Sequence, residues 1–175
     1  MREAADAERI RRLARELGRV VPAGTRMYLT GGATAVLEGW RASTVDIDVR
    51  FEPDSDAALS RIAEIKERLS VNVELASPLD FLPPLPGWQD RSRFRFREDN
   101  LEVFDFDPYS QALSKLERGF ELDLADVRSM VEADQVEPAL LLALFEQIEP
   151  ELYRFPAVEP AALREAVESL LTAET

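Results

Sequence analysis

Neither cysteine nor histidine occurs among the 175 residues of this chain. The first absence excludes disulfides and thiolate metal sites. The second removes imidazole bases, imidazole zinc centres and every catalytic triad that needs them. Long apolar runs are missing too. The N-terminal MREAADAERIRRLARELG has no signal-peptide core, and no later stretch is fit to span a membrane. A soluble cytoplasmic protein with no membrane association is the expectation. Basic side chains are in deficit, 21 against 34 acidic ones, and the net charge of -13 disfavours bulk binding to DNA, RNA or anionic lipid. With 46% hydrophobic and 31% charged residues the chain nevertheless has an ordinary globular balance, which argues against disorder.

Glycine is scarce as well, seven residues in all, so the adjacent pair Gly31-Gly32 stands out. It sits inside YLTGGATAVLEGWRASTVDIDVRF, residues 28–51, where an apolar strand runs into the glycine pair and a short helix ends near Gly39. A second strand follows, Val45 to Phe51, carrying Asp46 and Asp48. Strand side chains alternate with period two, so the two carboxylates project together, and like charges that close repel unless a cation or proton sits between them. The pair reads as a metal site, for Mg²⁺ bound together with a phosphorylated ligand. The glycine pair is either a tight strand-to-helix turn or a turn whose amides cradle a phosphate. It is neither a dinucleotide fingerprint, lacking the third spaced glycine, nor a P-loop, lacking Gly-Lys-Ser/Thr.

Along the rest of the chain, apolar spacings of three and four predict helices over residues 3–17 and 55–69, the second capped by Asp54 or Ser55. Val71 to Leu75 alternates as a strand. SPLDFLPPLPGWQD holds four of the 11 prolines and reads as a loop packed by Phe81, Leu82, Leu85 and Trp88, or as a partner-binding segment. A hairpin joins Arg93–Arg97 to Leu101–Phe106. Alternation would set Arg91, Arg93, Arg95 and Arg97 on one face, as a basic groove or as the charged protection of an edge strand. The second hairpin strand ends in FDFDPYS, where Asp105 or Asp107 could supply a third carboxylate. From Pro108 onward the pattern is helical, with a pivot near Gly119, a segment from Glu137 to Ile148 and a last helix from Ala161 to Thr172. Tyr28, Trp40 and Trp88 are core or loop anchors, or stacking partners for a base. The whole predicts an α/β (α+β) fold: a small mixed β-sheet flanked by helices within residues 1–107, and a helical extension over 108–175 packed on it as one compact unit.

GGATAVLEGWRASTVDIDVRF resembles the signature of the nucleotidyltransferase superfamily, Gly-Gly or Gly-Ser, a short helix, and Asp-x-Asp on the next strand. More narrowly it is similar to minimal nucleotidyltransferase-like proteins that include toxin components of the AbiEii kind, in which Arg-x-Thr-x-Asp-Ile-Asp is typical. Thr44-Val45-Asp46-Ile47-Asp48 matches directly, with Arg41 a little apart from that spacing. PYSQALSKLERGFELDLADVRSMV also looks like this group, through Lys115, Asp123 and Asp126. The resemblance implies that Asp46, Asp48 and Asp105, or Asp107 in its place, hold Mg²⁺, and that Gly31, Gly32, Thr44 and Lys115 bind a nucleoside triphosphate. It implies transfer of a nucleotidyl group to a hydroxyl of a tRNA end, a protein or a small molecule. The alternative is a silent relative that binds a protein partner, as in a toxin–antitoxin pair. Asp123 and Asp126 are then distant members of the site, or acids that favour a helix N-terminus.

Overall fold

The computed structural model describes residues 3–173. Its contacts divide them into two units, residues 3–77 with 92–106, and residues 78–91 with 107–173.

The first unit is built on a five-stranded mixed sheet in the order β3-β2-β1-β5-β4. The strands are β1 (Thr25–Thr30), β2 (Asp46–Glu52), β3 (Asn72–Leu75), β4 (Arg93–Glu98) and β5 (Leu101–Asp105). β1 lies central, antiparallel to β2 and parallel to β5; β3 runs parallel to β2, and β4 closes the other edge as an antiparallel hairpin with β5. One sheet face is apolar. Met27, Leu29, Ile47, Val49, Phe51, Leu101 and Val103 share a buried core with Ile10, Leu13 and Leu17 of α1 (Ala7–Gly18), Ala33 and Val36 of α2 (Gly32–Leu37), and Ile62 and Ile65 of α3 (Asp56–Leu69). Each of the larger ones, the Val, Leu, Ile, Phe and Met side chains, contributes about 1.5–3 kcal/mol on burial. The opposite face carries Tyr28, Asp46, Asp48, Arg50 and Phe104, since directly paired residues point the same way.

Local chemistry fixes the ends. α1 begins at Ala7 rather than Glu3 because the Asp6 carboxylate caps Arg9 N, while Ala5 is held extended in a bridge to Thr44. Ser55, not Asp54, caps α3. Gly18 ends α1 for a reason other than a left-handed turn: a Cβ there would overlap the carbonyl of Glu98, so glycine admits β4 against the helix.

The second unit is helical. It contains the one-turn α4 (Trp88–Arg91), then α5 (Pro108–Arg118), α6 (Glu121–Glu132), α7 (Pro138–Ile148) and α8 (Pro160–Ala173). Gly119, at φ 68°, closes α5 and permits the pivot into α6. Leu113, Val127, Met130, Leu141, Phe145, Leu163 and Val167 are buried along these helices. The proline-rich segment is packed rather than free: Leu82, Leu85 and Trp88 are buried, while Phe81 is half exposed. Among the described residues no helix is long and apolar enough to cross a membrane.

Candidate active site

The glycine pair connects β1 to α2, and its geometry explains why both positions are glycine. Gly31 adopts φ 61° and ψ -130°, a region that side chains rarely enter, and a Cβ there would lie 3.0 Å from Oδ2 of Asp48. At Gly32 a Cβ would overlap Oγ1 of Thr44, stand 2.9 Å from its Cβ and 3.4 Å from Nη1 of Arg41. Gly31, Gly32, Thr44 and Asp48 therefore converge, with the Arg41 guanidinium beside them. Two elements fix this meeting. Antiparallel register sets Asp48 opposite Thr30, the residue before the turn. Thr44 exchanges two backbone hydrogen bonds with Ala5, of 2.7 and 2.9 Å, and its hydroxyl donates to the carbonyl of Asp46 at 3.0 Å.

Asp46 and Asp48 alternate with Ile47 and share the sheet face opposite the core; both are partly buried. Parallel pairing with β3 brings Asn72 beside Asp46 and Glu74 beside Asp48. The Asn72 amide donates to Oδ1 of Asp46 at 2.6 Å and to Glu74 at 2.9 Å, which orients the first carboxylate. Asn72, Glu74 and Arg50 were not singled out from the sequence. The period-two parity of residues 46, 48 and 50 could have found Arg50, whereas Asn72 and Glu74 needed the strand pairing.

Asp105 is not brought to this pair. It stands opposite Leu29 in the parallel β1–β5 register, on the face that carries Val49 and the core, whereas Asp48 stands opposite Thr30. There it is 1% exposed and ion-paired to Arg93 at 3.3 Å and to Arg95, and both arginines also reach Glu38 at the end of α2. Oδ1 of Asp105 has no hydrogen-bond partner. Burial raises the Asp105 carboxyl above its ordinary range, against the lowering pull of Arg95 and Arg93. The expected row of four arginines is also divided. Arg91 belongs to α4, and an irregularity between Phe94 and Phe96 places Arg93 and Arg97 on opposite faces. β4 is an edge strand, one of the two readings that its charge pattern left open.

Asp107 has a different task. In the second unit it caps α5, accepting from Tyr109 N and Ser110 N, and it forms a bidentate ion pair with Arg91 at 3.0 and 2.9 Å. Lys115 is buried, its ammonium 2.6 Å from Asp126 and 3.7 Å from Asp123, and Arg118 chelates Asp123 from outside. These four residues form an internal network across the α5–α6 pivot. Tyr28 is fully buried against Phe104 and Phe106, and Trp88 is buried in the second unit, so both are anchors there; Trp40 is partly exposed after α2.

Two carboxylates on one strand face suit a hard cation that completes its shell from water and phosphate oxygens, as Mg²⁺ does. Among the described residues no group of three acidic side chains is arranged to hold a metal. A glycine turn closed over an Asp-x-Asp strand in a mixed sheet is the arrangement on which the likeness to nucleotidyltransferases rests. The chain belongs to the family described as "Nucleotidyltransferase of unknown function (DUF6036)", whose model matches residues 8–158. That membership implies a nucleotide substrate. Comparison with curated proteins and with solved structures finds no match.

Proposed function

We propose that this protein is a Mg²⁺-dependent enzyme that transfers a nucleotidyl group from a nucleoside triphosphate to a hydroxyl acceptor on a tRNA end, a protein or a small molecule. The observation that carries the reading is the closure of the Gly31–Gly32 turn onto Asp48 and Thr44, with a left-handed backbone and a tight approach at Gly31 and no room for a Cβ at Gly32. Asp46 and Asp48 would hold the ion, which when bound supplies charge neutralisation at the phosphates. The turn offers backbone amides to the outer phosphates, and Thr44 braces it against β2. Asn72 keeps Asp46 oriented for ligation, the usual duty of a hydrogen bond behind a metal ligand. In the reaction the acceptor oxygen bonds to the α-phosphorus as the bond to the bridging oxygen breaks and pyrophosphate leaves. The acceptor's proton passes to a carboxylate of the pair.

Isothermal titration of non-hydrolysable triphosphates with Mg²⁺ tests this directly. Asp46→Ala and Asp48→Ala should each abolish measurable binding; binding that persists in both would refute the site. A second reading, a silent relative that binds a protein partner in the manner of an AbiEii-type pair, draws on the commitment of Asp105 to Arg93 and Arg95. It predicts nucleotide binding without pyrophosphate release in the presence of tRNA or of the protein itself.

A further inference from the structure

Arg50 is the third member of the row that begins with Asp46 and Asp48. The three share a face of β2, and Arg50 lies one strand repeat, about 7 Å, beyond Asp48. Antiparallel pairing sets it opposite Tyr28, so it lies on the side of Asp48 away from the glycine turn. Its Nε is shut off from solvent and has no hydrogen-bond partner. Among the described residues the guanidinium forms no ion pair, although Asp48 and Glu52 flank it in the same row. Of the other arginines on the sheet strands, Arg26, Arg93 and Arg95 have carboxylate partners, and Arg97 bonds the Asp99 carbonyl. A partly buried arginine left unpaired loses hydration without recovering it from the protein, so the missing acceptor is an anion that arrives from outside.

We propose that Arg50 binds the α-phosphate of the nucleoside triphosphate. This rests on the nucleotidyltransferase reading and extends it. With the outer phosphates at the glycine turn and the cation on Asp46 and Asp48, a triphosphate running along the row brings its α-phosphate toward Arg50. The planar fork donates to two non-bridging oxygens there, on the phosphorus that is transferred. Arg50 is thus a substrate-binding residue at the phosphorus that is transferred.

The test compares wild type with Arg50→Gln and Arg50→Lys, using the Mg²⁺ complexes of the α,β-methylene analogues of ATP, GTP, CTP and UTP. Titration should show the best-bound analogue weakened roughly ten- to a hundredfold by Arg50→Gln, with partial recovery in Arg50→Lys. In ³¹P spectra of the bound analogue, Arg50→Lys should move the α resonance and leave β and γ in place. Without ligand the melting temperature of Arg50→Gln should equal or exceed that of wild type, because no ion pair is removed. Unchanged affinity, a shift confined to the β or γ resonance, or a lowered melting temperature that Arg50→Lys restores would each overturn the proposal. If wild type binds none of the analogues, the parent reading falls and this one with it. If wild type binds, Asp48→Ala abolishes binding and Arg50→Gln does not weaken it, only the Arg50 assignment falls.

Discussion

Gly32→Ala tests the closure of the turn on β2 through a single added carbon. The new Cβ would overlap Oγ1 of Thr44 and lie 2.9 Å from its Cβ, closer than carbons tolerate. Rotating the threonine side chain removes the first conflict and leaves the second. The backbone at Thr44 resists retreat because it is tied to Ala5 by two hydrogen bonds of 2.7 and 2.9 Å. Overpacking of this kind costs about 1–3 kcal/mol, which for a chain of this size lowers the melting temperature by roughly 2–12 °C. The partner variants separate the causes. Thr44→Ala removes the hydroxyl but keeps the Cβ, so the double variant Gly32→Ala/Thr44→Ala should remain destabilised by the full amount. Thr44→Gly alone should lose about 1 kcal/mol for the hydrogen bond to Asp46 and about 0.5–1 kcal/mol for chain entropy. Adding Gly32→Ala to it should then cost nothing further. Differential scanning fluorimetry of wild type and the five variants yields the coupling energy. Equal rescue by Thr44→Ala and Thr44→Gly, or a neutral Gly32→Ala, would refute the steric account.

Two other perturbations probe the buried charges. The Asp105 carboxyl is raised by burial, so its contribution to stability is complete below the ordinary carboxylate value of about 3.9 and is lost as pH rises through its folded value. The melting-temperature advantage of wild type over Asp105→Asn should therefore shrink with rising pH across that window and then level; an advantage that grows instead would mean that Arg95 and Arg93 outweigh burial. Lys115→Met removes the cation held 2.6 Å from buried Asp126 and should cost about 3–5 kcal/mol. Arg118→Ala, whose side chain is 54% exposed, should cost only about 0–1 kcal/mol, and equal losses in denaturant titration would overturn the distinction.

The elements themselves were legible from local pattern. Alternation at Asp46-Ile47-Asp48-Val49 and apolar spacing along α1 and α3 gave strand and helices, because burial on one face imposes those periods. The meeting of Gly31–Gly32 with the Asp48 strand was expected from the motif. The side of the sheet taken by Asp105 was not legible. Parity within β5 is written in its sequence, but its phase against β1 depends on a parallel pairing between residues more than seventy positions apart. Asn72 and Glu74 were hidden for the same reason, since β3 lies beside β2 only through the crossover of α3. The Lys115–Asp126 contact needed the pivot at Gly119, visible as a glycine but silent about which side chains it would bring together.

The irregularity in β4 has a consequence for how an edge strand can be built. One unpaired residue, Arg95, resets the alternation, so Arg93, Arg95 and Phe96 all address the helix-covered face while Phe94 meets Phe104 on the other. A regular strand would have turned Phe96 outward or sent one arginine away from Glu38 and Asp105. The bulge lets six residues anchor an apolar contact beneath α1, where Arg11 caps the Phe96 ring, and an ionic one at the end of α2. Its break in the ladder also interrupts the edge to which another chain's strand would pair. Phase, rather than composition, makes this margin of the sheet both a fastening and a barrier.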